Sequence, residues 1–159
     1  MNAENKNYIS LIIWISVLLF IGSLMGSLTK AEITSWYSIL ERSPLSPPNS
    51  VFPVAWTILY TMIAICGWII WRVRSFSELR LIKILYLIQL ILNWSWTPLF
   101  FFYHLTGFSL VVLLVMDILV AMIIYLGYAR IRLASILMTP YLLWILFATH
   151  LNFYIWLYN

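Results

Sequence analysis

Aromatic and amide side chains recur three and four residues apart in three apolar stretches: Phe52, Trp56 and Tyr60; Asn93, Trp96, Thr97 and Phe100; Trp144, Ala148, Leu151 and Ile155. That spacing places each set on one helical face. Indole and phenol rings offer broad stacking area, and an indole N–H or an amide gives a directed polar contact. Converging stripes of this kind suit a flat apolar molecule with a polar edge. Trp56, Trp96 and Trp144 carry most of this reading, because each lies inside an apolar stretch where its N–H needs a partner from protein or ligand. Asn93 and Asn152 make the same demand, which a neighbouring helix meets as well as a bound molecule does.

Other reactive groups are sparse. Asp117 is the single acid inside an apolar stretch, open to a proton relay, a ligand contact or a structural bond to a hydroxyl such as Ser109 or Thr61; with no second acid and no Lys or Arg beside it, we favour the structural bond. His104 and His150 are unpaired and carry no haem-attachment motif, so they are weak candidates for iron ligation. Cys66 is alone, which removes a disulfide or a cysteine-based metal site. No nucleophile, base and orienting group can be assembled, so we expect no catalytic residues, no metal site and no required cofactor.

The elements that must hold these stripes follow from composition. Of 159 residues 64% are hydrophobic and 9% charged, which is the composition of an integral membrane protein. Charges leave five blocks nearly free of them, about 8–28, 51–71, 84–103, 108–127 and 135–157, each close to the ~20 residues that span a bilayer as a helix. The blocks do not alternate polar with apolar as barrel strands do, and backbone groups in lipid must be satisfied within the segment. The fold class is therefore all-α, a five-transmembrane-helix bundle forming one domain over 1–159. The first block is longer than a signal-peptide core, and we read it as a retained span.

Lys6, Arg72, Arg74, Arg80, Lys83, Arg130 and Arg132 fall on one side of this topology, with only Lys30 and Arg42 on the other. The positive-inside rule puts the N-terminus in the cytoplasm and the C-terminus outside. The net charge of +4 then needs anionic lipid headgroups and no nucleic acid. Trp71, Tyr103, Tyr128, Trp156 and Tyr158 sit at block ends, as do Trp36 and Tyr37, and all suit interfacial anchoring. Phe52, Trp56 and Tyr60 instead lie in the outer half of span two. The stripes of spans three and five reach the same depth, beneath the loop 29–50.

That loop reads as a lid. Pro44, Pro47, Pro48 and Pro53 each fix their own φ and bias the preceding residue away from helix, so the segment holds a shape. Pro98 removes a backbone hydrogen bond inside span three and is expected to kink it. Gly22 and Gly26 form a small-xxx-small pair that favours close helix approach.

Together these motifs resemble the tryptophan-rich sensory protein or translocator protein family, TspO/MBR. The resemblance rests on Trp36, Tyr37 and Leu40; on Pro47 and Pro48; on Trp56, Leu59 and Tyr60; on LNWSW-x-P-x-FF from Leu92 to Phe101; and on PYLLW-x-x-FAT-x-LN from Pro140 to Asn152. It implies a five-helix bundle, usually a homodimer, whose pocket is closed by the first loop. It further implies binding of protoporphyrin, haem or related tetrapyrroles, sterols and drug-like ligands. Ligand-contacting positions carried over are Trp56, Tyr60, Asn93, Trp96, Trp144, Ala148 and Leu151, with Trp36, Tyr37, Pro47 and Pro48 in the lid. Two further readings come with the resemblance: light-dependent porphyrin breakdown using Trp56 and Trp144 as electron donors, and transport of a tetrapyrrole or sterol. The sterol pattern of animal members departs here, because Tyr154 is followed by Leu157, Tyr158 and Asn159 with no cation. That departure and the short C-terminal tail favour a bacterial envelope over a mitochondrial outer membrane.

Overall fold

Apolar sequence without internal polar alternation leaves helix as the conformation that satisfies its own backbone, and helices dominate the structure. The computed structural model describes residues 3–159, with side chains from Asn7 onward; the side chain of Lys6, one of the cations used for orientation, lies outside the described residues. The elements are α1 (Ala3–Thr34), a single turn α2 (Trp36–Ile39), α3 (Val51–Arg72), α4 (Leu79–Thr97), a π-helical turn (Pro98–Phe102), α5 (Thr106–Gly127) and α6 (Arg132–Tyr158). Five stretches among the described residues are long and apolar enough to cross a bilayer: Asn7–Thr34, Val51–Arg72, Leu79–Phe102, Thr106–Gly127 and Arg132–Tyr158.

Proline chemistry marks the irregular points. Pro53 sits in the first turn of α3, where its missing N–H would have no helical partner anyway. At Pro98 the α-helix gives way to the π turn, closed by the Tyr103 N–H donating to the Pro98 carbonyl at 3.0 Å. The wider turn begins where proline, lacking an N–H, interrupts the regular ladder of the α-helix. The expected loop 29–50 is partly helical, since α1 continues to Thr34 and α2 adds a further turn. Lys30 and Glu32 end the apolar run without ending the helix.

Around the bundle the neighbours run α1, α3, α6, α5, α4 and back to α1, and the C-terminal end of α1 also meets α2 while α1 packs on the π turn. The core holds Ile63, Ile70, Ile82, Met116, Met138 and Ile145, all fully or almost fully buried. Close approach of α1 to α3 depends on Gly22, where an added Cβ would stand 2.5 Å from Cε2 of Tyr60. Gly26, its partner in the small-residue pair, has nothing within 4 Å of such a Cβ. Gly22 alone of the two is used for packing inside the chain.

Candidate functional site

Three polar networks fasten the helices that carry the stripes. In the first, the Tyr60 hydroxyl of α3 donates to Asn93 Oδ1 of α4 at 2.6 Å, Asn93 Nδ2 donates to the Tyr141 hydroxyl of α6 at 3.0 Å, and Tyr141 donates to Gln89 Oε1 at 3.0 Å. All four residues are buried. Asn93 thereby ties α4 to both α3 and α6 across the bundle, and Tyr60 is held by its tip. In the second, Trp96 Nε1 of α4 donates to Asn152 Oδ1 of α6 at 3.1 Å, and Asn152 Nδ2 donates to the Thr106 carbonyl at 2.8 Å. In the third, the Thr149 hydroxyl donates to Asp117 Oδ2 at 2.8 Å. The partner of Asp117 is thus Thr149 and neither Ser109 nor Thr61; Ser109 instead lies against the Thr106 carbonyl and Asn152. Low dielectric makes each pairing structurally significant, because an unpaired polar group in hydrocarbon is costly.

Ring contacts then assemble the aromatic stripes. Trp56 of α3 meets Trp144 of α6 edge to face with centroids 6.5 Å apart, tilts over Tyr60 at 5.4 Å, and Phe52 meets Trp144 at 5.9 Å. Trp96 stacks on Phe100 at 5.1 Å and stands edge-on to Phe101 at 5.9 Å. Trp96 packs against both the main core and the smaller cluster of Tyr37, Phe100 and Ile155, so it joins the two aromatic groups. Trp56, Trp96, Trp144 and Ala148 are half-buried, whereas Tyr60, Asn93 and Leu151 are buried. Ala148 and Leu151 follow Trp144 along its face of α6, one turn each. Gln89 and Tyr141, which complete the Asn93 network, are missing from the sequence candidates although spacing carries a signal for both: Gln89 lies four residues before Asn93 and Tyr141 three before Trp144, each extending its stripe toward the middle of the bundle.

The lid is fastened at its near end by rings and at its far end by hydrogen bonds. Trp36 stacks on His104 at 4.0 Å and meets Phe100 edge-on at 5.4 Å; Tyr37 lies against Phe100 and Phe101. His104 pairs with Glu32 at 3.3 Å and adopts a left-handed backbone, φ 54°. That conformation is uncommon for a side-chain-bearing residue, and the stack on Trp36 and the contact with Glu32 accompany it. Arg42 lies over the Tyr37 ring at 5.3 Å. Burial raises the Tyr37 hydroxyl above the ordinary phenol range, against the opposing pull of Arg42. Ser43 Oγ lies 3.2 Å from His150 Nε2, and Glu41 exchanges two backbone hydrogen bonds with the Asn159 side chain. Both histidines are thus occupied with lid contacts, and no group of three metal-ligating side chains occurs among the described residues. Pro47 is half-buried within the lid and Pro48 is exposed.

Two concavities touch this assembly. One is an apolar groove of about 400 Å³ between α3 and α6, lined by Ala55, Ile58, Pro140, Leu143, Trp144 and Phe147. The other is a polar cleft of about 580 Å³ in the lid. Between Trp56 and Trp144 the rings are in mutual contact, so a ligand seated there must part them.

Comparison with known proteins gives a consistent result. The sequence model of the TspO/MBR family matches residues 14–157. A tryptophan-rich protein TspO of Archaeoglobus fulgidus is 37% identical over 153 residues, covering 96% of this chain and 99% of that protein. The human translocator protein is 33% identical over 139 residues, 86% of this chain and 82% of its own length. A tryptophan-rich sensory protein of Cereibacter sphaeroides is 34% identical over 128 residues, with 80% and 78% covered.

Proposed function

The chain belongs to the TspO/MBR family and is a multi-pass integral membrane protein, and from that premise we propose that it is a receptor for a tetrapyrrole such as protoporphyrin or another flat hydrophobic ligand. The observation that carries this reading is the meeting of Trp56 and Trp144, from helices remote in sequence, at one aromatic cluster that also includes Tyr60. Trp56, Tyr60, Trp96 and Trp144 supply stacking area. Asn93 fixes the Tyr60 ring through its hydroxyl, and the small Ala148 lies between Trp144 and Leu151 along α6. The lid residues Trp36, Tyr37, Pro47 and Pro48 limit water access from above.

The same reading places the lid outside the membrane and the loops bearing Arg72, Arg74, Arg80, Lys83, Arg130 and Arg132 in the cytoplasm. It assigns the chain to a bacterial envelope, for which the lack of a cation after Tyr154 is the support. It also includes a homodimer. Support comes from α1, whose Ile12, Ile13, Phe20 and Leu28 are exposed and whose Gly26 is open to close approach.

Titrating protoporphyrin against the purified protein, followed by the porphyrin absorbance band, tests the site. Replacing Trp56 and Trp144 together by Leu removes two stacking partners worth about 0.5–1.5 kcal/mol each, so affinity falls roughly 5- to 150-fold. Unchanged affinity in the double variant removes the site assignment.

A further inference from the structure

The lid cleft has a chemistry unlike that of the rings below it. Its walls are Leu40, Arg42, Ser43, Ser46, Pro48 and Asn49, mostly polar groups around one guanidinium. Arg42 is exposed, and its guanidinium lies over the ring of Tyr37 at 5.3 Å, which is itself buried against Phe100 and Phe101. It has no carboxylate within pairing distance: among the described residues the one basic side chain within 4.0 Å of a carboxylate is His104, beside Glu32. The neighbouring Glu41 is fixed by its backbone to Asn159.

One wall of the cleft is fixed by hydrogen bonds. Ser43 is buried, accepts the Leu45 N–H at 3.2 Å and contacts His150, and the turn closes through the Ser46 N–H donating to the Ser43 carbonyl at 2.9 Å. A guanidinium presents forked donors that match a carboxylate, and hydroxyl and amide groups beside it add further donors. Leu40, on the wall of the cleft, packs in the same cluster as Trp36, Tyr37 and Trp96. The cleft thus adjoins the rings of Trp36, Tyr37 and Phe100, and Trp96 links that group to the core cluster that holds Trp56 and Trp144.

We infer that the lid cleft is a carboxylate subsite: Arg42, with Ser46 and Asn49, takes an acidic side arm of a ligand whose flat apolar body rests on the aromatic cluster. The ligand class is then an amphiphilic acid and not a neutral hydrocarbon plate. This inference rests on the receptor reading above and specifies it.

Protoporphyrin carries two propionic acid arms, and its dimethyl ester carries none while keeping the same ring. Equilibrium titrations of both with the wild-type protein and with Arg42→Gln separate the two levels of the proposal. The wild type is expected to bind the free acid on the order of tenfold more tightly than the ester, the factor of one charge-assisted contact. Arg42→Gln is expected to bring the acid down to the affinity of the ester, leave the ester unchanged, and be partly restored by Arg42→Lys. Equal wild-type affinity for acid and ester overturns the subsite while leaving the receptor reading intact. An equal loss for both ligands in Arg42→Gln also overturns it, since that pattern reports a structural role for Arg42. Failure of the wild type to bind either porphyrin overturns the receptor reading and the subsite with it.

Discussion

Replacing Gly22 by Ala tests the packing that sets the position of Tyr60. The new methyl would stand 2.5 Å from Cε2 and 2.6 Å from Cδ2 of that ring, where carbon atoms settle at about 3.5–4.0 Å. About 1 Å of separation must be found. Tyr60 yields poorly, because its hydroxyl donates to Asn93 at 2.6 Å and its ring tilts against Trp56 at 5.4 Å. Overpacking of this kind costs about 1–3 kcal/mol, partly offset by the ~1 kcal/mol that Ala gains over Gly in a helix. Gly26→Ala is the internal control, since it shares the helix-propensity gain and its Cβ meets nothing within 4 Å. The difference between the two variants cancels propensity and leaves the steric cost, about 1–3 kcal/mol, with Gly22→Ala the less stable. Reversible unfolding of both variants in one detergent measures it. Equal stability, or a more stable Gly22→Ala, refutes the contact between α1 and Tyr60 and with it the account of how the ring is positioned.

Two other outcomes follow from the polar and lid contacts. Thr149→Val removes the hydroxyl that donates to Asp117 Oδ2, while Oδ1 is already buried without a partner; a loss of about 1–3 kcal/mol is expected, with Thr149→Ser retaining most of the stability in the same unfolding assay. Trp36→Ala removes the stack on His104 and the edge contact with Phe100, so amide hydrogen exchange should accelerate across residues 40–50 and stay unchanged in α5, and uniform acceleration would contradict the lid description.

Much of the bundle is legible in the chain because lipid imposes a simple rule. A block without charges must satisfy its own backbone, so the five blocks mark the five long helices. Helical periodicity then places Phe52, Trp56 and Tyr60 on one face, and Trp56 and Trp144 do meet. Helix ends are less legible: Lys30 and Glu32 mark where the apolar run stops, yet the backbone stays helical to Thr34, since charge reports the membrane boundary and says little about hydrogen bonding. Partner identity is the least legible. The Asn93 amide reads as interhelical glue or ligand contact, and its two protein partners, Tyr60 and Tyr141, depend on how α3 and α6 are rotated about their axes. For Asp117, Ser109 lies eight residues earlier on the same helix, about 12 Å away along its axis, whereas the choice of Thr149 over Thr61 depends on how α5 and α6 pack, which periodicity does not encode.

The receptor account is tested most directly by which indoles sense the ligand. Biosynthetic fluorotryptophan labels all nine tryptophans, and single Trp→Phe variants assign their fluorine resonances. Adding protoporphyrin should shift the resonances of Trp56, Trp96 and Trp144 through the porphyrin ring current. Trp68 and Trp71, held at the opposite end of α3 beside Arg72 and Lys83, should stay in place. Shifts confined to Trp68 and Trp71, or silence at all three of the former, would contradict a tetrapyrrole site beneath the lid.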